Sequence, residues 1–266
     1  MSAVKANSPK VASKKMNKAY CIAVIPARYQ STRFPGKPLA HILGKPMIQW
    51  VYENAAAASA IDEVSVATDD QRIADAVEAF GGKVVLTHAD HPSGSDRVAE
   101  AVQDQDPDLV LNIQGDEPLI SPEALNQLAQ TLPPDGITPE MATLAVPLSR
   151  GQEETENPNN VKVVVDGNNN GLYFSRAPIP YKCSDGTDAG CLWHWGIYAY
   201  RGWYLRRFVS LRKGQLESCE KLEQLRALED GARIRVLKVD AEPLDVNVPE
   251  DIARVEQVLS EKGDAQ

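Results

Sequence analysis

The chain has no Cys-x-x-Cys pair, no apolar run approaching the roughly eighteen residues of a membrane span, and no excess of positive charge. Each absence removes a class of protein. The four cysteines, Cys21, Cys183, Cys191 and Cys219, read as reduced and mostly structural thiols; Cys183 and Cys191 with His194 match no familiar zinc spacing. Without a membrane-length run, the chain is expected to be cytoplasmic and to have no membrane partner. A formal net charge of -9 argues against a nucleic-acid surface, which needs a basic face. An anionic ligand must therefore be met by a local cluster of cations. The sequence also lacks Gly-x-Gly-x-x-Gly and Gly-x-x-x-x-Gly-Lys-Ser/Thr, which weighs against a nicotinamide-dependent dehydrogenase and against a Walker-type phosphate loop. Met1 to Lys18 carry Lys5, Lys10, Lys14, Lys15 and Lys18 without the apolar centre of a signal peptide, so 1–18 is read as a disordered basic tail.

What is present is an ordinary globular composition, 43% hydrophobic and 24% charged over 266 residues, enough for one sizeable α/β domain spanning 19–266. Tyr20 to Ile25 is an apolar run of strand length, and Pro26, which has no N–H to give a neighbouring strand, is expected to stop it. A helix is predicted over 47–60, a strand ending at Thr68-Asp69-Asp70, a helix closed by Gly81-Gly82, and a strand over 83–87. Strand, helix, strand, helix, strand is the pattern of a parallel sheet, whose ligands gather beyond the carboxyl ends of its strands. The same alternation continues with a helix from about Val98, a strand over 109–113, a helix capped by Ser121 with Pro122 at its start, and a strand over 141–147. From about Asn157 the pattern changes to hairpins, with an Asn/Gly turn at 167–171. That change suggests a lobe, around 157–215, that closes over a substrate or forms a subunit contact.

Chemistry concentrates where predicted strands end. The loop after the first strand holds Arg28, Arg33 and Lys37, the hydroxyls of Ser31 and Thr32, and Gly36, a set suited to a polyphosphate or to a solvated surface. Ser93-Gly94-Ser95 precedes a helix and suits an anion, a nucleobase edge or a plain helix cap. Gln114-Gly115-Asp116-Glu117-Pro118 puts two carboxylates at the end of a buried strand, where a divalent cation is the natural partner.

Pro26-Ala27-Arg28-x-x-Ser31-Thr32-Arg33-x-Pro35-Gly36-Lys37-Pro38-Leu39 resembles the signature loop of sugar nucleotidyltransferases, most closely that of the CMP-Kdo synthetases, the 3-deoxy-manno-octulosonate cytidylyltransferases. Asn112-Ile113-Gln114-Gly115-Asp116-Glu117-Pro118, Ser175-Arg176-Ala177-Pro178-Ile179-Pro180, His194-Trp195-Gly196-Ile197-Tyr198 and Leu222-Glu223-Gln224-Leu225-Arg226 are similar to further motifs of that family. The resemblance implies a Rossmann-like nucleotidyltransferase sheet, mostly parallel with helices on both faces, an added β-hairpin lobe, and a homodimer. It implies attack by an acidic octulosonate sugar on the α-phosphorus of CTP, giving a CMP-sugar for lipopolysaccharide synthesis. Arg28, Arg33, Lys37 and Asp116 would be catalytic. Pro26, Ala27, Arg28, Ser31, Lys37, Thr68, Asp69, Ser93, Gly94 and Ser95 would bind the nucleotide, and Gln114, Arg176, His194, Tyr198, Glu223 and Gln224 the sugar. Magnesium would sit on Asp116.

Two positions depart from that pattern. Where the family has Val-Asp-Thr-Pro-Glu-Asp, with the first Asp on the metal, this chain has Val246-Asn247-Val248-Pro249-Glu250-Asp251; Asn247 takes the second ligand position, with Asp245 two residues away as a substitute. Ser95-Asp96 stands where Thr-Glu is usual. The departures suggest an 8-amino octulosonate as acceptor. A non-catalytic CTP- or sugar-binding homologue and a cytidylyltransferase for another acidic sugar, such as a sialic acid, are the competing readings.

Overall fold

Cys21–Ala27 (β1) is buried on both faces, as a strand must be when helices cover both sides of a parallel sheet. The computed structural model describes residues 19–31, 33–133, 136–148, 153–181, 190–241 and 243–263; the tail 1–18, Thr32 and Cys183 lie outside the described residues. After β1 come a short β-ribbon, His41–Ile42 (β2) with Lys45–Pro46 (β3), and then Met47–Ala56 (α1), Glu63–Thr68 (β4), Gln71–Ala79 (α2) and Val84–Leu86 (β5). Gly94–Ala101 (α3) leads to Leu109–Asn112 (β6), Pro122–Gln130 (α4), Met141–Leu148 (β7) and Glu153–Glu156 (α5). Lys162–Val165 (β8) and Gly171–Ser175 (β9) form a hairpin, followed by Cys191–Arg201 (β10), Gly202–Ser210 (α6), Gln215–Glu220 (α7), Leu225–Glu229 (α8), Ile234–Lys238 (β11) and Asp251–Gly263 (α9).

The main sheet runs β11-β7-β10-β6-β1-β4-β5, with the β8–β9 hairpin attached to β10. All strands of that path are parallel to their neighbours except β10, which is antiparallel to both β6 and β7. Side-chain alternation along β1 divides the core. Cys21, Ala23 and Ile25 pack with α1, α2 and α4, while Ile22 and Val24 pack with α3, α6 and α8. A third cluster joins Ile42, Met47, Leu244, Val246 and Val255, holding the C-terminal segment beside the loop that follows β1. Because β4 and β5 lie on one side of β1 and β6 on the other, the strand order reverses between β1 and β6. A ligand crevice is expected at the carboxyl end of that reversal.

The structure corrects several sequence expectations. Strand β1 continues through Pro26 and Ala27, which pair with Ala67 and Thr68 of β4. Val24 faces β6, accepting from Ile113 N–H, so Pro26, two residues on, faces the same side after β6 has ended and its missing donor breaks no ladder. Helix α1 stops at Ala56, short of Ala60. Helix α3 starts at Gly94, four residues early, because Ser93 caps it by accepting Asp96 N–H. Leu216 to Arg226 has the spacing of one continuous helix, with Leu222 and Leu225 inward, but the structure breaks it: Lys221 closes α7 in the left-handed region at φ 57, and α8 starts again at Leu225.

Lys162 fastens the hairpin. It is fully buried, and its ammonium donates to the carbonyls of Asn157, Asn160 and Arg176 at 3.0, 2.6 and 2.6 Å. Packing is close where α6 begins, since a Cβ at Gly202 would lie 2.0 Å from the Pro107 carbonyl oxygen. Gly202→Ala is expected to destabilise the fold by about 3 kcal/mol, the scale of forced overpacking, read as a lower urea midpoint at unchanged m-value.

Candidate active site at the sheet's strand-order reversal

Backbone hydrogen bonds and one cation bind three distant segments together. Lys37 Nζ donates to Asp116 Oδ2 at 2.6 Å and to the Val246 carbonyl at 2.9 Å. Val246 N–H in turn donates to the Asp116 carbonyl at 3.0 Å. The loop after β1, the loop after β6 and the segment before α9 thus meet at the reversal. Gly36 permits the approach with φ 72, and Tyr29, whose carbonyl accepts Gly36 N–H, packs its ring 3.3 Å from the Arg72 guanidinium. Arg33 donates to Asn247 Oδ1 at 3.2 Å, and Asn247 spends its amide N–H on Asp245. Arg28 is exposed and forms no hydrogen bond or ion pair among the described residues. Ser31 accepts Phe34 N–H at 3.3 Å.

Negative charge is crowded beside these cations. Burial pushes the Glu117 carboxyl well above its ordinary value, and repulsion from Asp116 and Asp245 adds to the shift. Burial likewise raises Asp245, with Asp116 repelling it and the Asn247 amide partly offsetting the rise. Among the described residues no three His, Cys, Asp or Glu side chains form a closed metal cage. A cation shared with phosphates needs only one or two protein carboxylates and keeps waters for the rest, so the donor set fits Mg²⁺ through Asp116 and Asp245.

A second group surrounds the start of α3. Thr68 is buried, with Oγ1 accepting Asp70 N–H at 3.2 Å, and a Cβ at Gly94 would sit 3.5 Å from the Pro26 ring. Asp69 ion-pairs with Arg97 at 2.9 Å. Ser95 Oγ donates to Glu223 Oε2 at 2.9 Å and accepts from Asn112 Nδ2 at 3.3 Å, while Gln114 Nε2 donates to Asn112 Oδ1 at 3.2 Å. One network therefore runs from Gln114 to Glu223. Ser93 Oγ lies 2.6 Å from Asp96 Oδ2 and 2.5 Å from Glu223 Oε1, yet it has one proton and already accepts Asp96 N–H. One hydroxyl proton thus serves two carboxyl groups. Burial raises the Glu223 carboxyl above its ordinary value, with Asp96 adding to the rise and Ser93, Ser95 and Arg226 offsetting part of it.

The break between α7 and α8 is what turns Glu223 toward α3, and beside it the buried Gln224 keeps an Nε2 with no hydrogen-bond partner among the described residues. The aromatic rings of His194, Tyr198 and Tyr200 follow in contact, with centroids 5.5 and 5.9 Å apart, and Tyr200 OH reaches Ser95 at 3.3 Å. Burial lowers His194 to about 3, so it is neutral. Thr143 Oγ1 lies 3.0 Å from His194 Nε2 and 2.8 Å from the Ile197 carbonyl across the bulge in β10. Since a carbonyl can only accept, Thr143 gives its proton there and His194 Nε2–H donates to Thr143. Nδ1 is then the acceptor atom of the ring.

Arg176 stands apart from the other predicted sugar residues, joined to none of them by a direct bond. Its guanidinium donates to the carbonyls of Glu220 and Pro158 at 2.8 and 3.0 Å. Cys191 and His194 lie on opposite faces of β10, being three residues apart on a strand, and Cys191 donates to the Ile179 carbonyl. Sequence reasoning missed Asn112 and Arg97. Each left a trace: Asn112 is polar inside a fully buried strand, and Arg97 falls on the apolar stripe of α3 with Val98 and Ala101.

Glu220 anchors this region. Burial opposes its ionisation, but Arg176 N–H and the hydroxyls of Ser175 and Tyr173 outweigh burial and hold the carboxyl below its ordinary value. A depressed carboxyl contributes stability above its unfolded value near about 4.3 and loses it as pH falls through the folded value. Glu220→Gln should lower stability at pH 7 and flatten the loss below about pH 4, followed by denaturant titrations across pH.

Comparison with known proteins adds three likenesses and one family match. The Cytidylyltransferase family profile matches residues 22–234. The 3-deoxy-manno-octulosonate cytidylyltransferase of Syntrophotalea carbinolica is 52% identical, covering 89% of this chain and 97% of its own. The 8-amino-3,8-dideoxy-manno-octulosonate cytidylyltransferase of Shewanella halifaxensis is 50% identical over 89% of this chain and 97% of its own. A solved structure of CMP:2-keto-3-deoxy-manno-octonic acid synthetase complexed with CTP superposes with a TM-score of 0.87 at 43% identity, covering 92% of this chain and all of that one.

Proposed function

The chain belongs to the cytidylyltransferase family, and from that premise we propose the reaction and the part each residue plays. The enzyme is a nucleotidyltransferase that couples CTP to a 3-deoxy-octulosonic acid. The anomeric hydroxyl oxygen bonds to the α-phosphorus, the bond to the β-phosphate oxygen breaks, pyrophosphate leaves, and the hydroxyl proton passes to solvent. The observation that carries this reading is Lys37, held between Asp116 and the Val246 carbonyl at the strand-order reversal.

In such a transfer the protein acts by positioning and by neutralising charge. Lys37, with Arg33 and Arg28, supplies local positive charge in a chain of net charge -9. Mg²⁺, when bound, neutralises the phosphates and orients them for in-line displacement. Asp116 and Asp245 would hold it, and Asn247, bonded to Arg33 and Asp245, orients the second carboxylate instead of ligating. Pro26, Ala27, Ser31, Thr68, Asp69 and Ser93 to Ser95 form the nucleotide side. On the sugar side Gln114 and the unpartnered Gln224 amide donate to hydroxyls, Tyr198 adds its phenol, His194 Nδ1 accepts, and Arg176 faces the carboxylate. Glu223, held between Ser93 and Ser95, joins the two sides.

The finer parts of this reading rest on chemistry and likeness together. The reaction is placed in the cytoplasm, where CTP is made, and no helix among the described residues is long and apolar enough to cross a membrane. A homodimer goes with the family resemblance. The acceptor is Kdo or its 8-amino analogue; the Asn247 departure and the Shewanella relative favour testing both.

Pyrophosphate release with CTP, Mg²⁺ and each sugar decides the reaction. Release with either sugar supports it, release with neither sinks it, and the faster sugar identifies the acceptor. Chelation by EDTA should abolish turnover, and Lys37→Met should reduce kcat by about 10² or more, as for the loss of one charge-stabilising donor. Asp245→Asn should weaken Mn²⁺ binding about tenfold in an electron paramagnetic resonance titration, whereas Asn247→Ala should weaken it less; the reverse order would return the ligand role to Asn247.

A further inference from the structure

Arg97 is a cation buried in the wall of the site with no part in the roles just described. The residue is 6% exposed, in the second turn of α3, where its N–H faces the Ser93 carbonyl at 3.4 Å. One guanidinium nitrogen reaches Asp69 Oδ1 at 2.9 Å and the other donates to Thr87 Oγ1 at 2.6 Å. Asp69 follows β4 and Thr87 follows β5, and Thr87 N–H donates to the Thr68 carbonyl at 2.9 Å. A single side chain therefore braces the carboxyl ends of two parallel strands against the helix that starts at Ser93-Gly94-Ser95.

Stability alone gives little reason for this arrangement. Desolvating a guanidinium against a carboxylate is often no better than packing apolar groups in the same space. The pair is also asymmetric: the Arg97 side chain is 7% exposed and that of Asp69 27%. With Oδ1 committed to Arg97, the other Asp69 oxygen takes part in no hydrogen bond or ion pair among the described residues and is an acceptor fixed in direction. A carboxylate oxygen in that position repels phosphate and suits an N–H or O–H donor. Asp69 follows the Ala27–Thr68 pair and so leaves the sheet beside the loop of Arg28; of the parts of CTP, the nucleoside carries N–H and O–H donors for such an oxygen and the triphosphate carries none.

We propose that Arg97 is a positioning residue for the nucleoside: it aims Asp69, and through Thr87 the loop leading to Ser93, so that the outer Asp69 oxygen accepts a hydrogen bond from the nucleoside of CTP. The proposal rests on the cytidylyltransferase reading and adds to it a group that touches no substrate. Arg97→Lys keeps the charge but cannot span both acceptors with a planar fork. The expected effect is a rise of about tenfold in KM for CTP, the scale of one lost hydrogen bond, with KM for the sugar and kcat within about twofold. Thr87→Val, a milder change, should raise KM for CTP by a smaller factor in the same direction. Asp69→Asn should match Arg97→Lys, and the two changes combined should do no more than either alone. Calorimetric titration of CTP into wild type and Arg97→Lys without sugar gives the same comparison at equilibrium. A loss shared equally between CTP and sugar, a fall in kcat at constant KM, or additive effects of the Arg97 and Asp69 changes would each overturn the proposal. Absence of turnover in the wild-type enzyme would instead overturn the cytidylyltransferase reading, while the calorimetric arm still judges the role of Arg97.

Discussion

One ammonium group, that of Lys37, is the point on which the site closes. It lies between a carboxylate from the loop after β6 and a carbonyl from the segment before α9, and its own loop follows β1. Three parts of the chain, up to 209 residues apart, are brought to one place by one residue's hydrogen bonds. The reversal of strand order makes that possible, because β1 and β6 lie side by side with their carboxyl ends on the same edge while their connections leave in opposite directions. Charge follows geometry here. Crowded carboxylates at Asp116, Glu117 and Asp245 need a cation, and a triphosphate needs several; the same crevice supplies both conditions.

The second half of the site depends on hydrogen-bond counting. Asn112 inside β6 donates from its amide to Ser95 and accepts at its carbonyl oxygen from Gln114, so the polar group in a buried strand connects what lies above it. Ser95 and Ser93 then hold Glu223, with the one Ser93 hydroxyl proton set between the carboxyl groups of Asp96 and Glu223. The unpartnered Gln224 amide beside it is the exception, and an unmade hydrogen bond in a buried place is a strong reason to expect a ligand there. Arg97 does for the nucleoside end what Asn112 does for the centre, spanning two strand ends from a helix.

Much of the architecture was legible from local pattern. Alternating strands and helices over 20–113 implied the parallel sheet, Ser121-Pro122 announced α4, and the Asn/Gly turn announced the β8–β9 hairpin, because each of these signals is satisfied within a few residues. Strand β10 and helix α6 were not assigned from their sequence, since β10 lies buried between two antiparallel neighbours and gains its identity from them. Pro26 misled for a related reason: whether a missing N–H matters depends on whether a partner strand is still alongside, and β6 had already ended. The helix over 216–226 has the spacing of a continuous helix, but Glu220 is drawn to Ser175 and Arg176, and Lys221 turns left-handed next to it.

By itself the sequence determined the types of chemistry and their order along the chain: a cationic loop after the first strand, a carboxylate pair after another, hydroxyls at a helix start, and a Glu-Gln pair near the end. Those follow from residue identity, and the resemblance to a known family joined them to a reaction. The tertiary structure decided which of them meet. Lys37 with Asp116, Asn247 with Arg33, Glu223 with two serines some 130 residues earlier, and Arg97 with Asp69 are all set by strand order and by one helix break. Such contacts join parts of the chain remote in sequence, and no local preference of a residue carries information about a partner that only the folded sheet brings within hydrogen-bond reach.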